Sequence, residues 1–168
     1  MRVLAVDVGL KVCGYVVCEI DGVDPQLLFD GEIKPSFRYT LPKKLNYIFE
    51  ALGRVISTYK VCVIVVEVLY AHHCHVTTLG LLAHVRGVVA LLAQRAGVGF
   101  FEYAPTRARK SFLGKGSARS EQVKKMAENV TGRRFKSVHT ADAFSLAVAF
   151  AHEQKVKKIL NSINGYTD

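Results

Sequence analysis

Six consecutive apolar residues, Val61-Cys62-Val63-Ile64-Val65-Val66, end on an acid, Glu67. A run this short and this rich in valine reads as a strand, too brief for a core helix. With no polar position in it, both faces must be covered, which makes it a parallel strand inside a sheet with helices on either side. A second run, Val3-Leu4-Ala5-Val6, ends on Asp7 in the same manner. These two runs commit the chain to the α/β class.

The rest of the pattern agrees. Val12 to Ile20 and Leu27 to Ile33 are β-branched or aromatic runs separated by Asp21-Gly22-Val23-Asp24-Pro25, as in successive antiparallel strands. Leu41, Leu45, Ile48, Phe49, Leu52, Val55 and Ile56 recur with helical period between Thr40 and Tyr59. A mostly apolar helix is expected over Thr78 to Ala96, stopping at Gly97, then a strand over Val98 to Tyr103 and a short helix from Pro105 to about Leu113. Gly114-Lys115-Gly116 breaks the chain. Helices are expected over Ala118 to Val130 and from Val138 to about Lys158, the latter with Ser137 as N-cap. The expectation is one domain, a mixed five-stranded sheet flanked by helices over residues 1–158, with a frayed polar tail over 159–168.

Composition excludes collagen-like, mucin-like, coiled-coil and disordered classes, since half of the 168 residues are apolar. The N-terminus carries an acid inside its apolar run and no small-residue cleavage site, unlike a signal peptide. The longest apolar runs are a few residues each, so no membrane span is expected. Cys13, Cys18, Cys62 and Cys74 form no CxxC pair, and Cys13 and Cys18 would face opposite sides of one strand. That argues against a disulfide framework and for a reducing, cytoplasmic setting.

Charge is concentrated. From Arg107 to Lys136 ten basic residues stand against two acids, which is +8 of the formal +9 of the whole chain. A cluster of this kind is the footprint of a polyanion-binding face, although a solvated helix surface would also produce one.

The acids at the strand ends call for another explanation, because a buried carboxylate is costly unless it is paired or metal-bound. Asp7 and Glu67 are delivered to an edge of the sheet, where sites of open α/β folds lie. His139 and Asp142, three apart in the first turn of the last helix, share a face. Such a set suits Mg²⁺ or Mn²⁺, and two such ions would serve phosphodiester hydrolysis. Each residue also has a plainer reading. Asp7 could open a turn with Gly9, Asp142 suits a helix N-terminus without metal, and His139 could be a cap. Glu67 has the weakest alternative.

Taken in order, seven blocks resemble the RuvC family of bacterial Holliday-junction resolvases over nearly the whole chain. They are Asp7-Val8-Gly9-Leu10 with Gly14-Tyr15; Val65-Val66-Glu67; Leu79-Gly80 with Ala83 and Arg86-Gly87; and Phe101-Glu102-Tyr103-Ala104-Pro105. Gly114-Lys115-Gly116-Ser117-Ala118, Glu121-Gln122-Val123 with Met126, and Ala141-Asp142-Ala143 with Leu146-Ala147 complete them. The resemblance implies an RNase H-like fold, a homodimer, and paired symmetric nicks in four-way junction DNA through divalent metal, leaving 5′-phosphates. It implies that Asp7, Glu67 and Asp142 are metal-binding carboxylates, with His139 at a fourth position that is an acid in many relatives. Tyr70 falls where the family places an aromatic that stacks on bases. Arg109 and Lys115 fall on expected phosphate contacts, and Lys110, Arg119 and Lys124 join them on the basic face. The helix over Thr78 to Ala96, apolar on more than one face, matches the dimer helix. The RuvA–RuvB branch-migration proteins are implied as possible partners.

The sequence departs from the family pattern in three places. Val8 replaces the usual proline after the first aspartate, and Ser120, beside Arg119, stands where a basic residue is common. Tyr70-Ala71-His72-His73-Cys74-His75 invites a zinc reading, but ligands so crowded do not readily close one tetrahedron. A DNA-facing loop with imidazole donors fits better. Three other functions compete: an RNase H-like nuclease acting on RNA, a catalytically inactive junction-binding protein, and an actin-like ATPase. The last needs a second domain, and the second is expected only if one of the three acids were missing.

Overall fold

The computed structural model describes residues 1–22, 24–69 and 75–164, the side chains of residues 163 and 164 excepted. Five strands, β1 (Arg2–Asp7), β2 (Cys13–Glu19), β3 (Gln26–Ile33), β4 (Val63–Glu67) and β5 (Gly99–Tyr103), form one sheet in the order β3-β2-β1-β4-β5. β1 pairs antiparallel with β2 and β2 with β3, whereas β1, β4 and β5 run parallel. β2 alone therefore runs against the other four, and their C-terminal ends share one edge.

The apolar runs read as strands because each face of the sheet has its own core. Val3 and Ala5 of β1 and Val63 and Val65 of β4 point into one cluster. Leu4, Val6, Ile64 and Val66 point into the other. α1 (Leu41–Tyr59) and α2 (Val76–Ala96) cover the second face through Ile48, Leu52, Ile56, Val85, Val89 and Leu92. α5 (Val138–Asn164) covers the first, backed by α3 (Pro105–Leu113) and α4 (Ser120–Thr131). Every residue from Ala143 to Ala151 of α5 is buried, because the helix lies between the sheet and two further helices. Its alanines let those layers approach closely.

Two expectations are corrected. α5 continues through Asn164 instead of ending near Lys158. The extra turns contain good helix formers, and Lys157 Nζ lies 2.8 Å from Glu153 Oε1, four residues back. The expectation that no helix suits a membrane also fails: by length and composition α2 is long and apolar enough to cross one. Its hydrophobic runs are short because Thr, Gly, His and Arg86 interrupt them. In this fold α2 buries Val85, Val89, Leu92 and Ala93 against the sheet and leaves Val76 and Leu91 exposed.

Candidate active site

Alternation along a strand decides where the acids point. Asp7 follows Val3 and Ala5 at two-residue spacing, and Glu67 follows Val63 and Val65, so both carboxylates stand on the face that α5 covers. β1 and β4 pair through Val6 and Val66, which sets Asp7 and Glu67 side by side one residue further on.

The first turns of α5 bring the other two groups. Ser137 and Thr140 cap the helix reciprocally, Ser137 N–H donating to Thr140 Oγ1 at 3.2 Å and Thr140 N–H to Ser137 Oγ at 3.4 Å. Gly14 opposite Asp7 makes the approach possible. A Cβ there would lie 2.4 Å from the His139 carbonyl carbon, so only glycine lets this helix end reach the sheet. His139 Nδ1 then donates to Asp7 Oδ2 at 2.7 Å, and His139 Nε2 has no protein partner among the described residues.

Asp142 sits in a different setting. Ser120 Oγ donates to its Oδ2 at 2.7 Å, and Arg109 Nη2 to its Oδ1 at 3.2 Å. Arg109 also donates to the Ala118 carbonyl at 3.0 Å and to Ser120 Oγ at 3.1 Å. One guanidinium thus ties the start of α4 to the Asp142 carboxylate.

The electrostatics record burial first and like charge second. Burial raises the pKa of Glu67 to about 7, helped by Asp7 and Asp142 and opposed by Arg109. Burial also raises Asp7, while the His139 hydrogen bond pulls it back. The same hydrogen bond raises His139 above an ordinary imidazole against the effect of burial. Glu32, on the same face of β3, adds to that field. It is a residue that sequence reasoning missed, although its pairing opposite Gly14 follows from the strand periodicity.

Three carboxylates and an imidazole at one edge are hard oxygen and nitrogen donors of the kind a divalent cation takes. Glu67, raised by burial and then by Asp7 and Asp142, is the one whose charge the protein leaves least compensated. Asp7 is turned to His139, and Asp142 to Ser120 and Arg109. Among the described residues, no three such side chains close on a common point.

The remaining expected DNA contacts separate. Lys110, Lys115 and Arg119 are exposed on α3, the Gly-Lys-Gly loop and the start of α4. Lys124 lies along α4 with its Nζ 3.9 Å from Glu128 Oε1. Arg109, expected as a phosphate contact, is turned onto Asp142 with part of its side chain still exposed. Ser120, the residue in place of a common basic one, is the second partner of Asp142. Tyr70, His72, His73 and Cys74 lie outside the described residues.

A mixed five-stranded sheet flanked by helices, with carboxylates at the ends of two adjacent parallel strands and a third on the covering helix, is the RNase H-like architecture. The family model for crossover junction endodeoxyribonuclease RuvC matches residues 3–152, and the chain belongs to that family. The crossover junction endodeoxyribonuclease RuvC of Heliobacterium modesticaldum is 31% identical over 90% of this chain and 94% of its own length. That of Brevibacillus brevis is 31% identical over 92% of each. The structure of Thermus thermophilus RuvC in complex with Holliday junction substrate superimposes with a TM-score of 0.81 at 20% identity, over 93% of this chain and 96% of that one.

Proposed function

We propose that this chain is a Holliday-junction resolvase that cuts four-way DNA junctions by paired symmetric nicks in the two like strands. The single observation that carries the reading is that Asp7, Glu67 and Asp142 stand at one edge of the sheet, near enough for the first and third to act on the Glu67 carboxyl, in a chain matched by the RuvC family model over residues 3–152.

Asp7, Glu67 and Asp142, with His139 beside them, are the residues that would hold Mg²⁺ or Mn²⁺, two ions per site. Bound there, such ions supply Lewis acidity to the phosphodiester and lower the pKa of an attacking water. The protein's own groups do the rest. His139 and Arg109 keep Asp7 and Asp142 oriented and hydrogen-bonded until a cation competes for their oxygens. Lys110, Lys115, Arg119 and Lys124 hold phosphates of the junction arms, and the backbone of Gly114 and Gly116 allows close approach. Tyr70 stacks on a base near the exchange point. As the imidazolium, His139 gives its Nε2 proton to the 3′-oxygen as it leaves, so the products are a 3′-hydroxyl and a 5′-phosphate.

The uncovered side of α2, with Leu91 and Val76 in water, supports a homodimer, which places two such sites on one junction. RuvA–RuvB branch-migration proteins fit as partners, and the cytoplasm as the compartment.

The test is strand-resolved nicking of a synthetic mobile four-way junction and of a linear duplex, with Mg²⁺ or Mn²⁺. Symmetric nicks confined to the junction are expected, absent from Asp7→Asn although that variant still binds. Nicking of duplex at the same rate, or binding without nicking under either metal, would overturn the reading.

A further inference from the structure

The basic stretch over Arg107 to Lys136 conceals a second one. Between Lys34 and Tyr47 the chain carries four basic residues, Lys34, Arg38, Lys43 and Lys44, and no acid. This segment is the connection from β3 into α1, and its position follows from the sheet. β3 runs parallel to β1 because each pairs antiparallel with β2. Asp7 pairs with Gly14 and Gly14 with Glu32, so Glu32 stands two strands from Asp7, about 10 Å away. Five more residues reach Phe37, at most about 17 Å further. The loop therefore leaves the sheet at the carboxylate edge, within one turn (about 34 Å) of a DNA duplex laid across it.

Its side chains are arranged for contact with something absent from the fold. Pro35 is buried and anchors the loop, yet Phe37 two residues later is 84% exposed. The Arg38 guanidinium lies 5.4 Å from the Phe37 ring centre, and Lys43 Nζ 4.5 Å from that of Tyr39. Tyr39 meets Tyr47 edge-on at 6.1 Å. A lone exposed aromatic is unremarkable. Lys34 is paired with Glu32, but three aromatics interleaved with Arg38 and Lys43, which face no acid among the described residues, are what a nucleic-acid strand requires, with cations for phosphates and ring faces for sugars and bases.

We propose that the β3–α1 loop is a second DNA-binding limb, leaving the sheet at the carboxylate edge beyond β3. Arg38 and Lys43 bind phosphates of one junction arm, and Phe37 packs against the sugars and base edges between them. The inference rests on the junction reading above and adds a contact to it.

The experiment is fluorescence-anisotropy titration of a four-way junction in metal-free buffer over a salt series, with wild type, Phe37→Ala, Arg38→Ala and Lys43→Ala. Phe37→Ala should weaken binding at least about fivefold with an unchanged salt slope, since it removes no charge. Arg38→Ala and Lys43→Ala should each lower the log–log slope by about 1. All three side chains are exposed, so melting temperatures should match wild type. If wild type binds the junction and all three variants match it within twofold with the same slope, the limb is refuted while the junction reading stands. A wild type that does not bind the junction overturns both.

Discussion

Replacing Glu67 by glutamine should make the metal-free protein more stable, and only above a definite pH. The folded chain holds the Glu67 proton up to about pH 7, whereas an unfolded glutamate loses it near 4.5. Where a folded-state pKa is raised, stability is full below the unfolded value and falls as pH rises through the folded one. The gap corresponds to about 3 kcal/mol, the cost of holding an ionised carboxylate among Asp7, Asp142 and buried surroundings. Glutamine keeps the shape and removes the charge. In EDTA, Glu67→Gln should therefore match wild type at pH 4.5 and exceed it by up to about 3 kcal/mol at pH 8. At this chain length that is roughly 6–12 °C in melting temperature. Adding Mg²⁺ or Mn²⁺ should narrow the difference, because a cation that binds the folded wild type stabilises it by mass action. Urea denaturation at several pH values measures all of this. An advantage that is the same at pH 4.5 and 8, or absent at both, would refute the reasoning.

Arg109→Ala should cost about 1–3 kcal/mol in urea denaturation, because it strips partners from Asp142 and the Ala118 carbonyl. Its salt slope for junction binding should stay at the wild-type value, whereas Lys115→Ala should lower that slope by about 1. Gly14→Ala should destabilise by about 1–3 kcal/mol, since its Cβ meets the His139 backbone at 2.4 Å; a fully stable, fully active variant would contradict the packing described. The His139 imidazole, followed by NMR titration, should show a pKa above that of a free histidine and fall in Asp7→Asn. The Asp7 contact accordingly stabilises the fold below about pH 6.5 and loses that contribution as pH rises through the raised value.

What the sequence made legible follows from what is local. Val61 to Val66 and Val3 to Val6 announce strands buried on both faces, and strand alternation then sends Asp7 and Glu67 to the same side. The three-residue spacing of His139 and Asp142 places both on one helix face. Contacts between distant elements were not legible in this way. Arg109 reads as one of many basic residues, and only the packing of α3 against α5 turns it onto Asp142. Gly14 carried a usable signal, a glycine near the start of a strand, which marks a close backbone approach. The Phe37 limb was hidden because charge averaged over the chain outside Arg107 to Lys136 is nearly neutral, although Lys34 to Tyr47 taken alone is not. Helix ends were the least legible: α5 outruns its expected stop because helix propensity carries past the core contacts.

The central claim is that Asp7, Glu67 and Asp142 form one divalent-metal centre. Anomalous scattering from Mn²⁺ in crystals of the protein bound to a four-way junction tests it most directly. The account predicts manganese peaks at the carboxylate edge, bounded by these three side chains and lost in Asp7→Asn. Junction cleavage in a protein whose manganese lies elsewhere, or with no peak at that edge, would contradict it.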